Sequence, residues 1–438
     1  MRLCQHLGFG TLRRSRLALA VSCWSLLPLQ VSRSFLTASQ VQPRLLATTR
    51  SAYRSAHCQR SVMCRRKAAV KIGAALLVPS LALSGVGASS ASDCSELGTC
   101  PRGNRGEVMA AVVYSSKADG RMEFREDVPV PEISPDQVLL SVRTAALNPV
   151  DYKKPMIPLA SKSLAPDDSV VGIDVSGVVV KKGSRVANFS IGDEVFGFAR
   201  GSLAEFAVCD AQKIALKPAG LSHRQAASLP TAGVTSYQAL RDNGLKTGDR
   251  LLVLGASGGC GLAGVAIGKA LGAEVTGVCS ARNAGAAESL GAARIVDYTQ
   301  GESAFKDLSN FDLVLDTVTG SGSALDPNYE LTMRASLKPG APYVALNSGL
   351  SDWLRMLASK ATGWRRALQR KNYDLVLTDQ NGDDLSTLAA WTVSGKIGMI
   401  PIDSVFSLTS SGVQQAFMKL QSRRTVGKLL VQVSDFDQ

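Results

Sequence analysis

From about residue 108 the chain is built of short apolar bursts separated by Gly, Pro and Asp. AAVVY (110–114), QVLLSVRTAAL (137–147), VVGIDVSGVVVKKG (170–183), DEVFGFA (193–199) and LAEFAVC (203–209) have strand length and β-rich composition. They predict a β-dominated first unit ending near Pro230. The helix-like VTSYQALRD follows, and then the texture changes to strand alternating with helix. LLVLGA, AEVTGVC, ARIVDY, DLVLDTV, PYVALN and YDLVLT are six continuous apolar runs. The spacers can hold crossover helices, so the pattern predicts a parallel, doubly wound sheet. MIPIDSVFSL and VGKLLVQV, after Gly395, are strand-like again and are expected to return to the first unit. The partition is therefore 106–230, 231–394 and 395–438, behind an extension over 1–105.

The first of the six runs leads into GASGGCG (255–261) and then into the helical LAGVAIGKAL. Strand, glycine loop and helix in that order form the setting of a dinucleotide fingerprint. Gly255 and Gly258 are expected to make the turn, Gly259 to admit the pyrophosphate and Gly261 to let the helix pack closely. The helix start offers free N–H groups to phosphate. Ser257, Gly258, Gly259, Cys260 and Gly261 are thus candidate cofactor contacts. The second run ends in CSARN, without the acidic residue that would hold a ribose 2′-hydroxyl. Ser280 and Arg282 suit a 2′-phosphate, which predicts NADPH rather than NADH. Alternatively, Arg282 is a solvated charge at a helix start.

Charge changes the picture only for the extension. The chain carries a net charge of +13, but residues 1–92 hold 13 Lys and Arg and no acid, which leaves 36 basic residues against 36 acidic ones in the remainder. The body therefore has no net basic footprint for nucleic acid. The extension contains a basic flank and apolar run (13–31), a Ser/Thr/Arg-rich stretch (32–64) and a second basic-then-apolar segment (65–91). This composition predicts organellar delivery, to a plastid or alternatively a mitochondrion, with the extension removed or unstructured afterwards. Of nine cysteines, only Cys209, Cys260 and Cys279 lie in the body, with the single histidine His223. That is neither a disulfide framework nor a zinc-ligand spacing.

Several segments together carry a family resemblance: ALNPVDYK (146–153), GIDVSGVV (172–179), GDEVFGF (192–198), LPTAGVTSYQAL (229–240), GASGGCG, SLGAARIVDY (289–298), FDLVLDTV (311–318) and TVGKLLVQV (425–433). The body resembles the zinc-free quinone oxidoreductase branch of the medium-chain dehydrogenase/reductases. The resemblance implies an α/β fold: a GroES-like β-barrel catalytic domain plus a Rossmann, doubly wound parallel sheet that binds NADPH, with the active cleft between them. It also implies a missing metal, because zinc-dependent members place Cys where Leu147 and Asn148 stand and His where Ile173 stands. The implied reaction is reduction of a quinone or an activated C=C in a lipophilic acceptor. An enoyl-thioester reductase is an alternative, and a degenerate nucleotide-binding interaction protein another.

The resemblance places Asn148 beside the nicotinamide, with Tyr152 or Lys153 as nearby proton donors. The same residues also read as a turn, a packed ring and a solvated lysine. By the same match Thr235, Tyr298, Asn347 and Lys428 contact the cofactor, although Tyr298 also reads as core and Lys428 as an exposed strand charge. Residues 353–371 carry six Lys and Arg and an apolar stripe. They are a candidate peripheral membrane contact, or a helix packed on the sheet or on a homodimer mate.

Overall fold

The computed structural model of the chain describes residues 107–118, 121–156, 161–319, 330–347 and 372–434. The extension over 1–105 and the basic segment 353–371 lie outside them.

The first unit is organised by β3 (Gln137–Ala146), whose burial is almost continuous because sheet neighbours and helices cover both faces. Before it, β1 (Val108–Tyr114) and β2 (Met122–Pro129) form an antiparallel pair. After it come β4 (Asp174–Lys182), β5 (Glu194–Phe198), β6 (Phe206–Asp210) and β7 (Ile214–Leu216). Strand β3 pairs antiparallel with β4 and, through other stretches, with β6 and β15. Register shifts at Leu139/Leu140 and Val142/Thr144 bend it enough to serve all three.

The second unit is a six-stranded parallel sheet: β8 (Arg250–Leu254), β9 (Glu274–Cys279), β10 (Arg294–Asp297), β11 (Leu313–Asp316), β12 (Tyr343–Ala345) and β13 (Tyr373–Leu375). All six expected runs are strands, in the spatial order β10-β9-β8-β11-β12-β13. This doubly wound order reverses between β8 and β11, so a crevice opens beyond their carboxyl ends. Then β14 (Ile402–Ser407) and β15 (Lys428–Gln432) return to β3, as the sequence pattern anticipated. The twelve-residue helix Ser410–Gln421 between them was not read from the sequence.

The two units share one hydrophobic core. Phe196, Phe198 and Leu221 of the first pack in one cluster with Leu251, Leu262 and Val344 of the second, and with Leu385 and Leu388 from the helix Gly382–Val393. Each fully buried leucine contributes on the order of 1.5–3 kcal/mol. No break in packing accompanies the change of texture near residue 230.

Candidate active site

The glycine loop is shaped by two positions. Gly255 takes φ +76°, a left-handed conformation that favours glycine. At Gly261 an added Cβ would lie 2.0 Å from the Gly255 carbonyl oxygen, so the helix Gly259–Ala270 sits directly on the turn. The expectation that Gly258 is needed for the turn is not met, since it caps the helix at φ −81°, open to any residue. At Gly259 the absent Cβ leaves room first of all for Lys428, whose Cδ would be 3.0 Å away.

Lys428 opens β15 and is 4% exposed, which overturns the reading of an exposed strand charge. The returning tail is stitched to the loop by a Gly258–Gly427 bridge, with Gly427 N donating to Ser257 O at 3.0 Å. The Lys428 side chain passes the loop and its ammonium donates to Asn148 Oδ1 at 2.6 Å, Asp174 Oδ2 at 3.1 Å and Leu147 O at 3.2 Å. All three ammonium donors are used.

Asn148 is the N-cap of the short helix Pro149–Lys153. Asp151 at the third helical position accepts from the Asn148 backbone N–H at 2.8 Å. Asn148 Nδ2 donates to Asp174 Oδ2 at 3.0 Å. The other oxygen, Asp174 Oδ1, accepts from Thr231 N at 3.1 Å and from the Thr231 hydroxyl. Thr231 lies in a π-helical turn, Pro230–Val234, a rare geometry that recurs at functional sites. Asp174 and Thr231 were missed as site residues. A signal was present, because Asp174 is a charge inside the apolar run VVGIDVSGVVV.

Asp151 is fully buried, and its Oδ1 has no hydrogen-bond partner among the described residues. Burial pushes its carboxyl up to about 7. The hydrogen bond from Asn148 N opposes that rise, Asp174 adds to it, and Lys154 and Lys428 oppose it.

The remaining candidates surround this cluster unevenly. Thr235 is buried with its hydroxyl 2.7 Å from that of Thr378. Its neighbour Ser236 donates to Cys260 O at 2.8 Å, on the loop helix. Cys260 itself is half-buried against the shared core, and burial pushes its thiol up to about 11. At the end of β9, Ser280 is buried and Arg282 is exposed, with no ion pair or hydrogen bond among the described residues. Between Arg282 and the loop, Asn283 Nδ2 donates to Ser257 Oγ at 3.3 Å. Strands β9 and β10 pair Cys279 with Asp297, so Ser280 and the exposed Tyr298 follow at adjacent strand ends. The Asp297 carboxyl accepts from the Thr299 hydroxyl and N–H and lies against the Ala281 amide. Asn347 follows β12 at the same carboxyl edge, half-buried.

Tyr152 and Lys153 turn to another side. Tyr152 packs against the Val413–Phe417 core, and both side chains feel the charge of Arg423. Burial first, then Arg423, lowers the Lys153 ammonium, while burial raises the Tyr152 phenol.

Two other features stand apart from this cluster. His223 lies between Ser176 Oγ (2.8 Å) and Glu194 Oε1 (3.1 Å), the donor chain of a nucleophilic triad. Ser176 is nevertheless fully buried and donates to Val195 O, so no substrate carbonyl can reach it. A groove of about 960 Å³ lined by Phe189, Ile214, Leu216 and Val393 shares no residue with the cluster.

Comparison with known proteins matches residues 134–219 to the alcohol dehydrogenase GroES-like domain and residues 290–431 to the zinc-binding dehydrogenase family. The chain is 33% identical to the mitochondrial NAD(P)H oxidoreductase RTN4IP1 of Mus musculus, over 75% of this chain and 90% of that one. It is 30% identical to the chloroplastic NADPH-dependent alkenal/one oxidoreductase of Arabidopsis thaliana, over 83% and 89%. The solved quinone oxidoreductase of Coxiella burnetii superposes with a TM-score of 0.64 at 28% identity, covering 75% of this chain and all of that one. The zinc in one family description does not fit these residues. No three of His, Cys, Asp and Glu converge among the described residues, and Lys428 fills the space between Asn148 and Asp174 with its own positive charge. A nicotinamide dinucleotide does fit, at a glycine loop on a helix start beyond the switch point of the sheet.

Proposed function

As a member of the medium-chain dehydrogenase/reductase superfamily this chain is an oxidoreductase, and we propose that it is an NADPH-dependent reductase of quinones or α,β-unsaturated carbonyls that works without zinc. The reading is carried by one observation. A single side chain, Lys428, runs past the glycine loop and ends on Asn148 and Asp174. The loop that suits a pyrophosphate and the turn that suits a reacting carbonyl are thereby parts of one site.

NADPH, when bound, supplies a hydride to the acceptor. Gly258, Gly259, Cys260 and Gly261 present the helix start to its pyrophosphate, with Ser257 beside them. Ser280 and Arg282 take the 2′-phosphate, and Tyr298 borders the adenosine. Thr235 and Asn347 border the nicotinamide end. Negative charge then grows on the acceptor oxygen and needs a preorganised donor. Asn148 supplies it. Its Nδ2 carries two hydrogens; one is given to Asp174, and the other meets only Ala146 O at 3.5 Å. Neither Tyr152 nor Lys153 is assigned the proton, because Tyr152 packs on the Val413–Phe417 core and both side chains face the charge of Arg423.

The test is NADPH oxidation by the purified protein with a panel of quinones, short alkenals and enoyl thioesters. Turnover on quinones or enones is expected. Turnover confined to thioesters selects the lipid-type reductase, and NADPH binding without any turnover selects a non-enzymatic role. For location, the composition of 1–105 supports organellar import, and relatives named mitochondrial and chloroplastic both exist. We favour a plastid. A fluorescent fusion of residues 1–105 that stays cytosolic removes the import reading.

A further inference from the structure

We infer that Asp174 is the positioning residue of this site: its carboxylate holds the Lys428 ammonium and the Asn148 amide in the one arrangement that leaves the second Asn148 N–H only a long contact to Ala146 O, at 3.5 Å, to exchange for the reacting oxygen. The inference rests on the proposed reading that NADPH binds here and reduces a carbonyl-activated acceptor.

Four donor groups meet this carboxylate, from three separate elements. Oδ2 takes Lys428 and the Asn148 side chain, and Oδ1 takes the backbone and the hydroxyl of Thr231. A carboxylate offers about four acceptor positions, so its capacity is filled. It is also fully buried, so water does not substitute for any of the four.

The arrangement fixes which way Asn148 faces. Its oxygen must meet the ammonium at 2.6 Å, and its nitrogen must meet the carboxylate at 3.0 Å. Turned over, it would aim N–H at an ammonium and oxygen at a carboxylate, two repulsive contacts in a buried place. Without Asp174, the Asn148 nitrogen loses the partner that defines its direction. Lys428 then keeps only neutral acceptors on a flexible stem of four carbons.

Charge and shape are both required. Asparagine at 174 would present one oxygen and one NH₂ group. Whichever way it turned, the NH₂ would face either the two Thr231 donors or the Lys428 and Asn148 donors. Glutamate at 174 keeps the charge and displaces it by one methylene.

The experiment compares the full chain with Asp174→Asn, Asp174→Glu and Ser176→Ala. It measures kcat and KM with an acceptor from the panel above, the Kd for NADPH, and the emission of the bound nicotinamide. Both Asp174 variants are expected to lose at least 100-fold in kcat. Their NADPH Kd should stay within threefold, because the pyrophosphate and 2′-phosphate contacts are elsewhere. The bound nicotinamide emission should change with kcat. Ser176→Ala, which removes a buried hydroxyl two residues along the same strand but outside the cluster, should stay within fivefold of the wild-type kcat.

Wild-type kcat in Asp174→Glu would show that charge alone suffices and would overturn the inference. So would a loss in Ser176→Ala as large as that in the Asp174 variants, which would mark a packing role for the strand. Should Asp174→Asn fail to fold, Asp174→Glu decides. If the wild-type chain binds NADPH but reduces no acceptor, the proposed function falls. The emission comparison then still judges the positioning role, an unchanged signal in both Asp174 variants overturning it.

Discussion

Lys428 and Asn148 are 280 positions apart in sequence, and the ammonium of one donates to the amide oxygen of the other at 2.6 Å, both side chains being buried. This contact joins the glycine loop, the Asn-Pro turn and the returning tail, and it frames the predictions that follow.

Gly259→Ala would place a methyl 3.0 Å from Lys428 Cδ and 3.4 Å from Gly427 O. The lysine is tethered at its far end by three hydrogen bonds and yields poorly. Turnover is expected to fall about tenfold, equivalent to ~1.4 kcal/mol, with the fold retained. Steady-state kinetics alongside a melting curve will check it.

Arg282 is exposed and makes no hydrogen bond or ion pair among the described residues, so its removal costs the fold little. Arg282→Ala should weaken NADPH about tenfold, in line with roughly 1.5–3 kcal/mol for a hydrogen bond to a charged group offset by partial solvent exposure. Binding of NADH should be unaltered. Titration of both nucleotides gives the answer, and equal losses for the two would argue against 2′-phosphate recognition.

Asp151 makes stability depend on pH. Its folded carboxyl titrates near 7, against an ordinary value of 3.8. The native state therefore keeps a proton that the unfolded chain releases between these values. Native stability should fall as pH rises from about 4 through 7, by at most about 4 kcal/mol at 1.36 kcal/mol per unit. Asp151→Asn cannot ionise and should abolish that part of the slope. Urea unfolding at pH 5 and pH 8 measures the difference.

Cys260 sits in the loop, yet burial pushes its thiol up to about 11. At pH 7.5 the thiolate is on the order of one part in a thousand or less. Cys260→Val should keep turnover within twofold, and a thiol reagent should modify Cys260 far more slowly than a model thiol. Rapid loss of activity on modification, prevented by that substitution, would contradict this.

The six parallel strands and the glycine loop were legible in the sequence because each is local. A buried parallel strand writes itself as a continuous apolar run, and LLVLGASGGCG holds strand, turn and helix start within a dozen residues. The interior of the site was not legible. Lys428 becomes a buried ion-pair partner only when β15 pairs with β3 and the tail bridges to Gly258, contacts between segments far apart in the chain. Asp174 was visible as a charge in an apolar run, but its four donors come from three other segments. The π turn at Pro230–Val234 also sends both Thr231 donors to Asp174. Tyr152 and Lys153 were chosen for nearness in sequence to Asn148, and a helix of five residues was enough to turn them elsewhere.

The bridge between Gly258 and Gly427 also bears on biosynthesis. A ribosome delivers Asn148 first, the glycine loop next, and Lys428 long after both. While the chain is still growing, the Rossmann sheet can form with its nucleotide crevice open on one side and the Asp174 carboxylate lacking its counter-ion. The site matures only when the segment carrying β15 emerges and threads between the two earlier pieces. Until β15 has folded into place, Asn148 and Asp174 therefore lack the lysine that ties them together.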